Sequence, residues 1–92
     1  MPVTVHLSGH LKPYTGGLVE IPLTGEHATV QDALLALWKF HPALHDRVLT
    51  ETGEIRQHVN IFAGEVDVKR AAGLATRLET SDIHIFNAVS GG

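Results

Sequence analysis

The 92-residue sequence predicts a single α+β domain, in which a mixed β-sheet packs against one main helix. Three observations carry this prediction. Apolar and polar residues alternate in short segments near both ends of the chain and once in its second half. A helical repeat of apolar residues occupies the region between the early and late segments, and turn-forming Gly and Pro residues separate the segments. A chain of this length can build one modest core.

The first two predicted strands form a hairpin. Apolar residues occupy every second position over 3–7, and again at Val19 and the two alternate positions that follow it up to 23. The turn-rich stretch 12–17 lies between them. Pro22 has no amide hydrogen to donate to a strand ladder, so the second strand is expected at an edge of the sheet.

The main helix is predicted over about residues 30–40. Thr29 is a suitable N-cap, and Asp32 stands three residues further on, where it can complete a capping box. Apolar residues then recur at helical spacing until Pro42 stops the helix. Residues 43–49 are expected to add a further short turn of helix.

Alternation returns in the second half of the chain, over 59–63 and over 83–87, with a short apolar segment at 66–68. In the last strand the two isoleucines are expected to face the core, and His84 and Phe86 to face away from it. The predicted order is therefore β-β-α-β-β-β. The first and last strands are expected to pair in parallel at the centre of the sheet.

Composition excludes several classes of protein. The net charge of −3 and the scattered basic residues offer no footprint for direct nucleic-acid binding. The chain has no cysteine, which rules out disulfides, thiolate metal sites and a Cys nucleophile. No apolar run approaches the roughly 20 residues that span a bilayer, and the N-terminus has no signal-peptide pattern. We therefore expect a cytoplasmic protein without a membrane partner.

Five short motifs stand out in the second half of the chain: Val59–Phe62, Gly64–Glu65, Gly73–Leu78, Asp82–Phe86 and Ala88–Gly92. Together with the predicted order of elements, they resemble the motifs of the MoaD/ThiS family of ubiquitin-like sulfur carriers. The resemblance covers nearly the whole chain, including the loop at 50–56 that longer members carry, and implies the β-grasp (ubiquitin-like) fold. It also implies a folded domain over residues 1–88 and a flexible Gly-Gly tail over residues 89–92.

The sequence departs from the family pattern at two positions near the tail. Ser81 stands where the family usually has glycine, and Asn87 stands where it usually has proline. Proline would restrict the backbone where the strand releases the tail. The tail is therefore expected to be slightly less constrained, with its chemistry unaffected.

By resemblance, the reactive group is the C-terminal carboxylate of Gly92, which Gly91 helps to present. Glycine has no Cβ, so the end of the chain can enter a narrow channel. An adenylyltransferase related to ubiquitin-activating enzymes would use ATP and Mg²⁺ to form an acyl-adenylate, and a persulfide (rhodanese-type) donor would convert it to a thiocarboxylate. The chain itself would bind no cofactor, hold no metal and supply no catalytic side chain, so it is expected to be a cosubstrate rather than an enzyme.

Partner recognition is expected on the folded surface and along the tail. The resemblance implies an apolar patch at Phe86, and Phe62 faces outward in the same sense, so both are candidate interface anchors. Val89 and Ser90 are expected to contact the partner within the tail. The alternative, that this face of the sheet is covered and Phe86 belongs to the core, stays open at this point.

Seven histidines invite a metal site, and His41 and His45 have the spacing of a helical ligand pair. Pro42 lies between them at a helix boundary, and no third ligand has a recognisable spacing. Solvated histidines are the preferred interpretation.

Three functions remain open from the sequence: a sulfur carrier, a ubiquitin-like modifier joined to lysines through Gly92, and a non-covalent binding module. For a carrier, the acceptor could be a pyridoxal-phosphate cysteine synthase, a tRNA thiolase or the large subunit of molybdopterin synthase, of which this chain would then be the small subunit. The length and the loop at 50–56 argue against the short thiamine-type carriers. The cysteine and general thiolation carriers are weakly favoured over molybdopterin synthase.

Overall fold

The computed structural model describes residues 2–87, and its centre is a five-stranded mixed sheet. The strands are β1 (Val3–Leu7), β2 (Glu20–Leu23), β3 (Val59–Ala63), β4 (Val66–Asp67) and β5 (Asp82–Asn87). Their order in the sheet is β2-β1-β5-β3-β4, so β2 lies at an edge, as predicted from its proline. β1 and β5 run parallel in the middle of the sheet, whereas every other neighbouring pair is antiparallel.

One main helix, α1 (Val30–Phe40), packs on one face of this sheet, which confirms the predicted α+β class. Thr29 Oγ1 accepts a hydrogen bond from the Asp32 N–H at 3.2 Å, and Asp32 Oδ2 accepts one from the Thr29 N–H at 3.3 Å. This capping box satisfies two amide groups that the first turn leaves unpaired. A 3₁₀ turn at Pro42–Leu44 and the four-residue helix α2 (His45–Val48) follow.

The core lies between α1 and the sheet. Alternation sends every second strand residue into it, so β1, β3 and β5 each contribute buried aliphatic side chains. The isoleucines of β5 are fully buried, as predicted. The largest fully buried side chains are Leu11, Leu34, Leu37, Leu44, Ile61, Ile83, Ile85, Val3, Val5, Val30, Val48 and Val59.

Two local predictions for the first hairpin need correction. The connection between its strands contains a 3₁₀ helix at Gly9–Tyr14. Val19 is not an inward-facing strand residue, since β2 begins at Glu20 and Val19 is 38% exposed. The segment before β2 is a turn in which Thr15 Oγ1 donates to the Leu18 carbonyl at 2.6 Å, while the Leu7 N–H still donates to the Val19 carbonyl at 2.8 Å.

The second half of the chain follows the prediction closely. The polar loop after α2 is closed by an isolated bridge between Leu49 and Ile55. Two 3₁₀ turns, Val68–Arg70 and Gly73–Ala75, connect β4 to β5. The predicted boundary between a domain at 1–88 and a tail at 89–92 lies outside the described residues. Within the described part of the chain, no helix is long and apolar enough to cross a membrane.

Candidate docking face and chain exit

The sheet has one face that α1 does not cover, and outward-facing side chains of three strands meet on it. In the pairing register His6 of β1 stands beside His84 of β5, which stands beside Phe62 of β3. Phe86 occupies the next outward position of β5, beside Asn60. These positions follow from the two-residue period of a strand, since the alternate residues are buried in the core.

Phe62 and Phe86 form a stacked pair on this face. Their ring centroids are 5.7 Å apart and their planes differ by 22°. The two residues are diagonal neighbours on adjacent strands, a separation that aromatic side chains can bridge. Both are half-buried and lie on the side of the sheet away from the core, so the alternative of Phe86 as a core residue is wrong.

His6 and His84 form a second stacked pair beside the phenylalanines. Their ring centroids are 4.6 Å apart, with an angle of 16° between the planes. His6 Nε2 donates a hydrogen bond of 2.8 Å to Asp82 Oδ1. This bond is the main reason that the pKa of the Asp82 carboxyl lies below its ordinary value, with a smaller contribution from a hydrogen bond donated by Ser81.

The four rings of His6, Phe62, His84 and Phe86 thus line one continuous strip, called the four-ring surface below. Sequence reasoning found the phenylalanines and missed the histidines, which were interpreted as solvated. A signal was available, because both histidines alternate with buried residues on strands predicted to be parallel neighbours. The register that sets them side by side was not predicted.

The described chain leaves the sheet at Asn87, the last residue of β5. The Asn87 Oδ1 atom is buried and has no hydrogen-bond partner in the structure described. The predicted reactive residues Gly91 and Gly92, and the predicted tail contacts Val89 and Ser90, lie outside the described residues.

His45, away from this face, makes ordinary protein contacts. His45 Nδ1 lies 3.0 Å from Asp46 Oδ1, and its ring meets Trp38 edge-on at 5.5 Å. Over residues 2–87, no three His, Asp or Glu side chains are grouped so as to hold a metal ion.

Comparisons with known proteins place this geometry in a family. No family model matches the sequence. The sulfur carrier protein CysO of Mycobacterium tuberculosis is 30% identical over 95 residues, and the alignment covers 100% of both chains. Small archaeal modifier protein 1 of Haloferax volcanii is 41% identical over 76 residues, covering 80% of each chain.

Solved structures agree with the sequence relatives. The structure of the Amycolatopsis orientalis BexX/CysO complex contains a chain that matches with a TM-score of 0.84 at 26% identity, covering 98% of this chain and 99% of that one. The crystal structure of small archaeal modifier protein 1 from Haloferax volcanii matches with a TM-score of 0.80 at 30% identity, covering 100% of both chains.

The sheet order, the single main helix and these matches define a ubiquitin-like protein of the β-grasp fold. The relatives named as sulfur carriers and modifiers narrow the class further. The chain belongs to the ThiS/MoaD-type family of ubiquitin-like sulfur carriers, in which the named relatives are carriers and modifiers rather than catalysts.

Proposed function

We propose that this protein carries sulfur as a thiocarboxylate on Gly92 and that it takes part in the reactions as a cosubstrate. The observation that supports this most strongly is the 30% identity to a sulfur carrier protein over the full length of both chains. The Gly91-Gly92 sequence at the end of the chain supplies the small residues and the carboxylate that such chemistry needs.

The proposed chemistry begins at an activating enzyme of the ubiquitin-activating type. The Gly92 carboxylate attacks the α-phosphorus of ATP, with Mg²⁺ held by that enzyme, and pyrophosphate leaves. A persulfide sulfur then attacks the acyl carbon and displaces AMP. Attack by a thiol on the resulting acyl disulfide releases the thiocarboxylate and leaves a disulfide on the donor side. Because the first step consumes ATP, we propose that these reactions take place in the cytoplasm.

The folded domain positions the C-terminal residues and supplies no reacting group. β5 is the central strand of the sheet and ends at Asn87, five residues before Gly92. Five residues span at most about 18 Å, so a partner that holds Gly92 in its active site also lies close to the domain surface. The enzyme and the domain must therefore fit each other around the end of β5.

The four-ring surface is the proposed docking site for the activating and acceptor enzymes. Its two phenylalanines are half-buried and already stacked, so they lose little side-chain freedom when a partner covers them. In the A. orientalis structure a CysO protein forms a complex with BexX, which supports a partner protein for this chain as well. Candidate acceptors are a pyridoxal-phosphate cysteine synthase, a tRNA thiolase and the large subunit of molybdopterin synthase.

The proposed function is tested by intact-mass spectrometry. The purified protein is incubated with its activating enzyme, ATP, Mg²⁺ and a persulfide donor. We expect a mass gain equal to the replacement of one oxygen by sulfur. A variant that lacks Gly92 should show no gain, and the isosteric surface variant Gln31→Glu should gain sulfur like the wild type. An unmodified wild-type mass, or the same product without Gly92, would contradict the proposal.

A second candidate function is protein modification through Gly92. It is favoured by the 41% identity to small archaeal modifier protein 1. Both functions share the adenylate, which a lysine amine can attack to form an isopeptide bond. The expected signature in cell extract is a set of higher-mass conjugates that require Gly92 and resist reducing agents. If all conjugates disappear on reduction, they are not isopeptide-linked and this second function is wrong.

A further inference from the structure

The end of β5 opens onto a cleft of about 500 Å³ that two arginine side chains line. Arg47, Arg56 and His58 line it together with Asn87, the last described residue. This group is called the exit cleft below. Its two arginines come from α2 and from the segment before β3, so two separate parts of the chain build the site.

Uncharged groups hold these cations in position. The Arg47 guanidinium carbon lies 5.1 Å from the centre of the Tyr14 ring, in a cation–π arrangement. Arg56 Nε donates to the Asp46 carbonyl at 2.7 Å. Lys69 Nζ, next to the cleft, donates to the carbonyl oxygens of Arg56 and Gln57 at 2.9 and 3.0 Å. None of these contacts neutralises a charge.

Carboxylates near the cleft do not neutralise these charges either. The carboxylate of Asp46 contacts His45, and its side chain is 84% exposed. Among residues 2–87 the ion pairs involve His6, His45 and Arg70, and neither cleft arginine has a carboxylate within ion-pair distance. The exit cleft thus presents two positioned guanidinium groups whose charge is available to an incoming anion.

The position of the exit cleft beside Asn87 indicates which anion would bind there. A protein that holds the residues after Asn87 must set its own surface against the rim from which they leave, and the exit cleft is part of that rim. A carboxylate on that surface would meet Arg47 or Arg56 as soon as the end of the chain is held. Electrostatic complementarity of this kind orients a partner and speeds its association.

We propose that the exit cleft docks Asp or Glu side chains of the enzyme that binds the C-terminal residues, and this inference rests on the proposed function. Nucleic acid fits the cleft less well. A phosphate backbone is bound by an extended basic surface, whereas the cleft holds two arginines on a protein with a net charge of −3. Two arginines suit a few partner carboxylates better.

Two double variants with the same charge change test the inference. R47Q/R56Q removes both cleft arginines, and R70Q/R77Q removes two arginines outside it. Arg77 lines a different cleft at the opposite end of β3, and Arg70 Nε lies 3.8 Å from Asp67 Oδ2. The melting temperature of each variant is measured first, to check that it is folded. The measured quantities are the Kd for the activating enzyme between 50 and 300 mM KCl, and kcat and KM for thiocarboxylate formation.

The cleft variant should bind about 3- to 10-fold more weakly at low salt, as expected for two partly exposed charge pairs. Its KM should rise with kcat nearly unchanged, because the cleft docks the domain and does not touch the reacting atoms. Raising the salt should weaken the wild type more than the cleft variant. The control double variant should stay within about 2-fold of the wild type.

Several results would overturn the inference. Equal losses in both double variants would mean that net charge matters and the cleft does not. An unchanged Kd in R47Q/R56Q would exclude docking there, and if that variant loses binding to a labelled single-stranded RNA instead, the cleft serves nucleic acid. If the wild type binds the enzyme through the cleft and gains no sulfur, the docking inference stands and the proposed function fails.

Discussion

Truncation of Phe86 to alanine should separate docking from folding. In the free protein Phe86 is half-buried and stacks on Phe62 at 5.7 Å, and such a pair is worth about 0.5–1.5 kcal/mol beyond the area it buries. Because Phe86 lies outside the core, the cost to folding should stay below the 3–5 kcal/mol typical of a core phenylalanine. We expect about 1–2 kcal/mol, so the variant should remain folded.

Phe86→Ala should reduce the binding free energy for the activating enzyme more than it reduces the free energy of unfolding. An aromatic anchor at the centre of an interface typically contributes 2 kcal/mol or more, which corresponds to about a 30-fold increase in Kd. The assay is calorimetric titration of the activating enzyme with wild-type and variant protein, alongside urea unfolding of each variant. Phe62→Ala should raise the Kd by a similar factor. The double variant should lose less binding free energy than the sum of the two single losses, since the two rings support each other.

The chain contains its own matched control. Phe40 is 67% exposed and lies on α1, on the other side of the sheet. Phe40→Ala removes the same atoms without touching the four-ring surface, so its Kd should stay within about 2-fold of the wild type, as expected for a residue outside an interface. If Phe40→Ala weakens binding as much as Phe86→Ala, or if Phe86→Ala binds normally, the four-ring surface is not the docking site.

Three further predictions concern the fold around these sites. Thr29→Ala should lower the free energy of unfolding by about 1 kcal/mol in urea titrations, because it removes the side-chain acceptor of the α1 capping box. Gly64→Ala should lower it by about 1–3 kcal/mol, because φ is +62° there and a Cβ would lie 3.1 Å from Thr80 Oγ1. His6→Leu should raise the pKa of Asp82, measured by carboxyl ¹³C NMR, because it removes the main hydrogen bond that lowers it. Since the pKa of Asp82 is lower in the folded protein, its contribution to stability is present above the unfolded pKa of about 3.9 and is lost as the pH falls through the folded value.

Each of these predictions has a control within the chain. Thr24→Ala changes an exposed threonine outside any helix and should leave stability unchanged. Gly53 has φ of +83°, and the space that a Cβ would occupy there is open. Gly53→Ala should therefore lower the free energy of unfolding less than Gly64→Ala does. His27→Leu should leave the pKa of Asp82 where it is, because the His27 ring contacts the Thr24 carbonyl and not Asp82. A reversed order of the two glycine variants, or an unmoved pKa in the His6 variant, would contradict the reasoning.

Sequence reasoning predicted the elements whose signals are local. Alternation along 3–7, 59–63 and 83–87 reflects the two-residue period of a strand facing one core, and each segment is a strand in the structure. The N-cap and the capping box around α1 depend on residues three apart, and they are present as predicted. The loop after β1 was harder, because a 3₁₀ helix and an open turn share the same glycine- and proline-rich composition.

The functional surfaces also differ in whether their signals are local to one segment of the chain. The end of the chain and the outward phenylalanines could be proposed from sequence, since each depends on its position within one segment. The histidine stack depends on the register between β1 and β5, which joins residues 78 positions apart in the chain. The exit cleft depends on α2 and the segment before β3 arriving beside the end of β5. Arg47 and Arg56 look scattered in the sequence, and only the packing of three separate segments makes them neighbours of the position where the chain leaves the sheet. A sequence pattern can therefore indicate which residue reacts, whereas the charges that would guide a partner to it become visible only in the folded chain.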